Sequence, residues 1–176
     1  LHSNRKTKNA MEKTVLVPTD FSIASLNIVK SYLNEQDRNI RVNIILLHGM
    51  HQNDSITNLL FFSKSKLLES LTNPAFEEAC RVLKNKYASQ VRIMRKDIFT
   101  GFTQAAFNQF AEANRIDEVC LPILYNPQFK NRNSFDLLPF IKASRLNITT
   151  IGSAIEVPMP EKGNVAELFT NRVSMG

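Results

Sequence analysis

At 176 residues with an apolar fraction of 43%, the chain is long enough for one domain with a substantial core and too short for two of ordinary size. No run approaches the roughly 18 apolar residues of a membrane-spanning helix, which argues against a membrane span. The formal charge of +6 owes three of its units to Arg5, Lys6 and Lys8, and from Met11 onward 19 basic residues face 16 acidic ones, without the basic stripe expected of a nucleic-acid-binding domain.

Residues 1–10 lack the apolar segment of a secretory signal and read as a leader, or as upstream sequence ahead of a start at Met11. The domain is expected over 11–153, followed by a C-terminal extension over 154–176. Residues 14–17 form a short apolar run with no polar alternation, the pattern of a strand buried on both faces. Pro18 ends it. Thr19, Asp20 and Phe21 make a turn, and Ser22 is placed to cap a helix begun by Ile23. A turn between strand and helix lies at the carboxyl edge of a sheet, where ligands of α/β folds bind.

Ile23, Leu26, Val29 and Leu33 recur at helical spacing, and this first helix is expected to end near Glu35. A second strand follows over 41–48 (RVNIILLH), completing a right-handed parallel crossover. Residues 56–71 read as one amphipathic helix. Asn73 and Pro74 restart helix as cap and first-turn residue, with Phe76, Ala79, Cys80, Leu83 and Tyr87 on one stripe. Residues 91–95 alternate like an outer strand, and Gly101 turns the chain into a helix over 103–114. A fourth strand spans 117–124 (DEVCLPIL), with its pairing expected to weaken at Pro122. After a polar loop over 125–133, a short helix starts at Ser134 or Leu138 and runs to Ser144, and residues 147–152 (NITTIG) give the fifth strand.

Strand and helix alternating through five strands describe an α/β protein with a doubly wound parallel sheet. The run 15–22 (VLVPTDFS), the second strand ending in His48, Thr100 and Gly101 leading to the Asp117-headed fourth strand, and the closing run 147–151 occur in that order. Together they resemble the universal stress protein family, as a divergent member. The resemblance implies the adenine nucleotide alpha hydrolase-like fold, strand order 3-2-1-4-5 with helices on both faces, a cytoplasmic homodimer pairing through the fifth strand, and a role in stress response.

Nucleotide-binding members of that family carry, after the fourth strand, Gly, two residues, Gly, nine residues, then Gly followed by Ser or Thr. Glycines let backbone N–H groups approach phosphate oxygens, and the hydroxyl residue opens a helix whose dipole favours the anion. Here no glycine occurs between Leu124 and Ile151, and Pro127 removes a donor. The expectation is therefore an interaction protein without ATP held in the family's manner, without catalysis and with no cofactor. The alternative is an adenine-nucleotide-binding, weakly hydrolysing protein that uses Lys130, Arg132 and Ser134 in place of the glycines. Candidate pocket residues are Pro18, Asp20, Ser22, His48, Lys130, Arg132 and Ser134. Each has a plainer reading: Asp20 and Ser22 as turn chemistry, Ser134 as a helix cap, Lys130 and Arg132 as a solvated loop.

His48, His51 and Asp54 invite a metal reading, but the spacing is short and no supporting partner is visible, so no metal is expected. Cys80 and Cys120 read as small buried hydrophobes of a reducing compartment. Of the phenylalanines, Phe129 and Phe140 are candidates for a dimer patch.

Overall fold

The computed structural model describes residues 11–52 and 63–152. The expected leader, the C-terminal extension, Asp54 and the first part of the helix read over 56–71 lie outside the described residues.

In chain order the elements are β1 (Glu12–Pro18), α1 (Ile23–Glu35), β2 (Arg41–Met50), α2 (Lys64–Leu71), α3 (Pro74–Lys86), β3 (Val91–Phe99), α4 (Gln104–Ala113), β4 (Glu118–Pro122), β5 (Ser134–Phe135), α5 (Leu138–Ala143) and β6 (Asn147–Ile151). The helices start where small polar side chains take up otherwise unbonded amides: Ser22 accepts from Ser25 N–H, Asn73 from Phe76 N–H and Thr103 from Ala106 N–H. Such a cap is worth about 1 kcal/mol.

The parallel sheet runs β3-β2-β1-β4-β6, with β5 joining β2 antiparallel at Gly49 and Phe135. The order is the one expected, the fifth expected strand being β6. The short antiparallel β5 is the departure. β1 pairs with β2 only as far as Pro18 against Leu47, so the flank of β2 beyond Leu47 has lost its neighbour. β5 takes up that flank at Gly49 and Met50.

Period-two alternation sends Val15, Val17, Ile44 and Leu46 to one face, under α1 and α3 with Val29, Tyr32, Phe76 and Leu83. Leu16, Ile45, Leu47, Val119 and Leu121 fill the other face with Phe99, Phe107, Leu137 and Ile141. Each such side chain, fully buried, contributes about 1.5–3 kcal/mol. Phe140 belongs to this second face, against Phe99, Phe107 and Phe135, and Phe129 packs edge-on to His48. Both rings are half-buried and have these contacts within the chain.

Some boundaries also differ. β3 continues four residues beyond Arg95, because Asp97, Ile98 and Phe99 are buried against β2. β4 stops at Pro122: Ile123 N–H donates to Ile151 O, so the donor that Pro122 lacks faces the side where β1 no longer pairs. α5 begins at Leu138, the later of the two expected starts, with Asp136 Oδ1 accepting from Leu138 N–H and Pro139 in the first turn. Ser134 is a strand residue and caps no helix.

Candidate functional site

The site expected from the sequence is the crevice outside the carboxyl ends of β1 and β4, where the sheet changes direction. One wall is the turn 18–22. Thr19 N–H donates to Leu47 O, continuing the β1–β2 ladder past Pro18. Thr19 Oγ1 then accepts from Phe21 N–H, and Asp20 Oδ1 accepts from Ser22 N–H, each at 2.9 Å. Ser22 Oγ caps α1. Phe21 has φ 57°, a left-handed conformation uncommon for a large side chain, and holds it with its ring buried between His48 and Phe76.

The floor is His48, 3% exposed at the end of the β2 apolar run. Its Nδ1 lies 2.8 Å from Thr19 O and its Nε2 lies 2.8 Å from Ser134 Oγ. A carbonyl oxygen only accepts, so the neutral ring carries its proton on Nδ1 and Nε2 accepts from the serine hydroxyl. Burial pushes the His48 pKa down from its ordinary value, against the opposing pull of the Thr19 carbonyl and the Asp20 carboxylate.

The other wall is the loop over 125–133, and it closes on the first. Gln128 N–H donates to Asp20 Oδ2 at 2.9 Å, joining residues 108 apart in sequence. Phe129 sets its ring against His48, with centroids 5.6 Å apart. His51 N–H donates to Asn133 O, leading into the β5–β2 pairing. That pairing depends on Gly49, where an added Cβ would stand 2.7 Å from Phe135 O. Burial, together with Asp136 and Asp20, pushes the Tyr125 phenol up, so Tyr125 remains protonated at neutral pH.

The sequence-derived candidates thus divide. Pro18, Asp20, Ser22, His48 and Ser134 come together, with Asp20, Ser22, His48 and Ser134 bonded to the chain itself, while Lys130 and Arg132 are exposed on the loop. Both His48 ring nitrogens are engaged, and among the described residues no group of acidic, histidine or cysteine side chains is arranged to hold a metal. Sequence reasoning missed Thr19, Gly49, Gln128, Phe129 and Asn133 as parts of this site. Gln128 and Asn133 act through backbone atoms, for which a sequence carries no signal. Gly49, directly after an apolar strand, was the available clue to a close backbone approach.

Three backbone N–H donors of this loop are engaged by the chain itself: Gln128 N–H goes to Asp20, Asn133 N–H to Asn131 Oδ1 and Ser134 N–H to Asn131 O.

No protein-family model matches the sequence, and no curated protein matches it. Solved structures do. The universal stress protein UspA from Lactobacillus plantarum matches with a TM-score of 0.51 at 16% identity, over 81% of this chain and 99% of that one. The hypothetical protein MJ0577 matches with a TM-score of 0.51 at 18% identity, over 81% of this chain and 96% of that one. The chain has the universal stress protein fold. Within that fold the loop after β4 here spans the crevice and pairs with β2. Among the described residues no helix is long and apolar enough to cross a membrane.

Proposed function

We propose that the chain is a universal stress protein-like domain that acts as a stress-response or regulatory interaction protein, without turnover and without ATP held in the family's manner. The observation that carries this reading is the closure of the crevice by the chain's own loop, with Asp20 bonded to Gln128 and His48 to Ser134. A ligand entering there must break those bonds and displace Phe129, whereas an interaction protein needs only its outer surface.

The alternative, an adenine nucleotide held by Lys130, Arg132 and Ser134, has less support, since Ser134 is committed to His48 while the two cations project into solvent. Mass spectrometry of small molecules released on denaturing the purified protein tests the reading. No stoichiometric adenine nucleotide is expected, and its recovery at one per chain would overturn the reading.

The partner we propose first is a second copy of the chain, docked through β6. That strand pairs only with β4 among the described residues, and its neighbourhood exposes Ile148, Ile123 and Leu124 at 41%, 66% and 86%. An uncovered strand edge flanked by apolar side chains favours pairing with another chain. Cytoplasmic placement fits two cysteines that form no disulfide and whose thiols burial pushes up to about 12.

A further inference from the structure

Toward the amino end of the sheet, on the face that carries α4, lies a pocket of about 180 Å³ lined by Thr14, Asn43, Ile45, Ile93, Arg95 and Asn114. Strand register sets Thr14, Asn43 and Ile93 in one row across β1, β2 and β3, and pairs Ile45 with Arg95 two residues further on. α4 ends at Ala113 beside these rows, and Ile93 is 48% exposed. We propose that this pocket binds a small single-ring molecule carrying a neutral O–H or N–H donor, of which a phenol is the simplest, with Asn43 Oδ1 as the acceptor.

The Asn43 amide is fixed in orientation. Its Nδ2 donates to Glu12 Oε1 at 2.6 Å, and a carboxylate only accepts, so the amide cannot be turned end for end. Oδ1 is thereby left buried, and no donor among the described residues reaches it. Buried acceptors in that condition are few, and each is unfavourable until a donor arrives. The neighbouring polar side chains do not supply one: Arg95 donates to Asp97 and to Asn114 Oδ1, and Asn114 Nδ2 donates to Phe110 O at 2.8 Å.

Charge, surface and size set the class of ligand. An anion brings no donor to Asn43. A cation finds no surplus of negative charge, because Glu12 is paired with Arg92, and Asp97 with both Arg95 and Lys64. A neutral donor remains. Ile45 and Ile93 give it an apolar floor, and a ring laid across them removes the exposed Ile93 from water. An apolar cavity of about 150 Å³ holds one benzene, so this volume suits one ring with a small substituent. An ordered water is the plainer occupant, but it needs two to four polar partners, and isoleucine side chains supply none. The pocket lies toward the opposite end of the strands from the crevice, and the inference does not depend on the crevice being closed.

The test is titration of the full chain with phenol, with its methyl ether anisole, with benzylamine and with benzoate, followed by chemical shifts of the Asn43 side-chain amide and the Ile93 methyl groups. Saturable binding of phenol is expected at about 1 mM. Anisole keeps the ring but lacks the donor, and it should bind about tenfold more weakly, as should the two charged rings. Asn43→Leu and Ile93→Ala should each weaken phenol binding about tenfold, while Lys66→Ala on α2 leaves it unchanged. Ile93 is half-exposed, so its variant should fold even if Asn43→Leu does not. No saturable phenol binding, shifts centred away from Asn43 and Ile93, anisole or a charged ring binding as tightly as phenol, or equal phenol binding by wild type and Ile93→Ala overturns the proposal.

Discussion

The Ser134 hydroxyl donates to Nε2 of His48 across 2.8 Å, tying a two-residue strand to the end of β2 at the point where β1 has left it. The same histidine donates through Nδ1 to Thr19 O. One buried imidazole therefore holds both walls of the crevice.

This makes closure sensitive to acid. Burial lowers the folded pKa of His48 below its ordinary 6.5, so in the interval between the two values the unfolded chain binds the extra proton. The stabilisation is fully present above about pH 6.5 and is lost as pH falls through the lowered folded value. Urea midpoints measured from about pH 8 down to 5 should fall for the wild type. A His48→Gln variant should be less stable at pH 8 and should show a shallower fall.

Gly49 admits the carbonyl and ring of Phe135 at distances no Cβ tolerates. Gly49→Ala should force β5 off β2 at a cost of about 1–3 kcal/mol. Hydrogen exchange would show it: His51 N–H, bonded to Asn133 O, should lose protection while amides of β1 keep theirs.

At the other end of the sheet, buried Glu118 accepts from Tyr32 O–H and from Thr149 Oγ1, and pairs with Lys13 at 2.9 Å. It joins α1, β1, β4 and β6. Glu118→Ala leaves the Lys13 charge and two hydroxyls without their acceptor and should destabilise by about 3–5 kcal/mol, read from denaturant midpoints. Lys13→Ala should cost less, because Lys13 is partly exposed.

Ile148, 41% exposed on the edge strand β6, tests the proposed pairing. Sedimentation should give a dimer for the wild type and a monomer of unchanged thermal stability for Ile148→Lys. A monomeric wild type would contradict the pairing.

The sheet order was legible because its signals are local and periodic. The apolar runs around Val15, Ile44 and Val119 could only be buried strands, and Ser22, Asn73 and Thr103 marked helix starts by the oxygen they offer to free amides. The composition of the crevice was half legible. Asp20 and His48 fell at the right edge because chain direction fixes which end of a strand faces the ligand side. The closure was not legible, since it rests on backbone groups of Gln128 and Asn133 meeting partners far away in sequence. Ser134 shows the same limit: a serine before an apolar run predicts a cap, but a buried imidazole nitrogen requiring a donor drew it into a strand instead.

The closed crevice is tested most directly by calorimetric titration of the full chain with ATP in the presence and absence of saturating adenosine. The account predicts no adenosine-competed site of micromolar affinity in the wild type. A stoichiometric micromolar site that adenosine blocks and Asp20→Ala removes would contradict it.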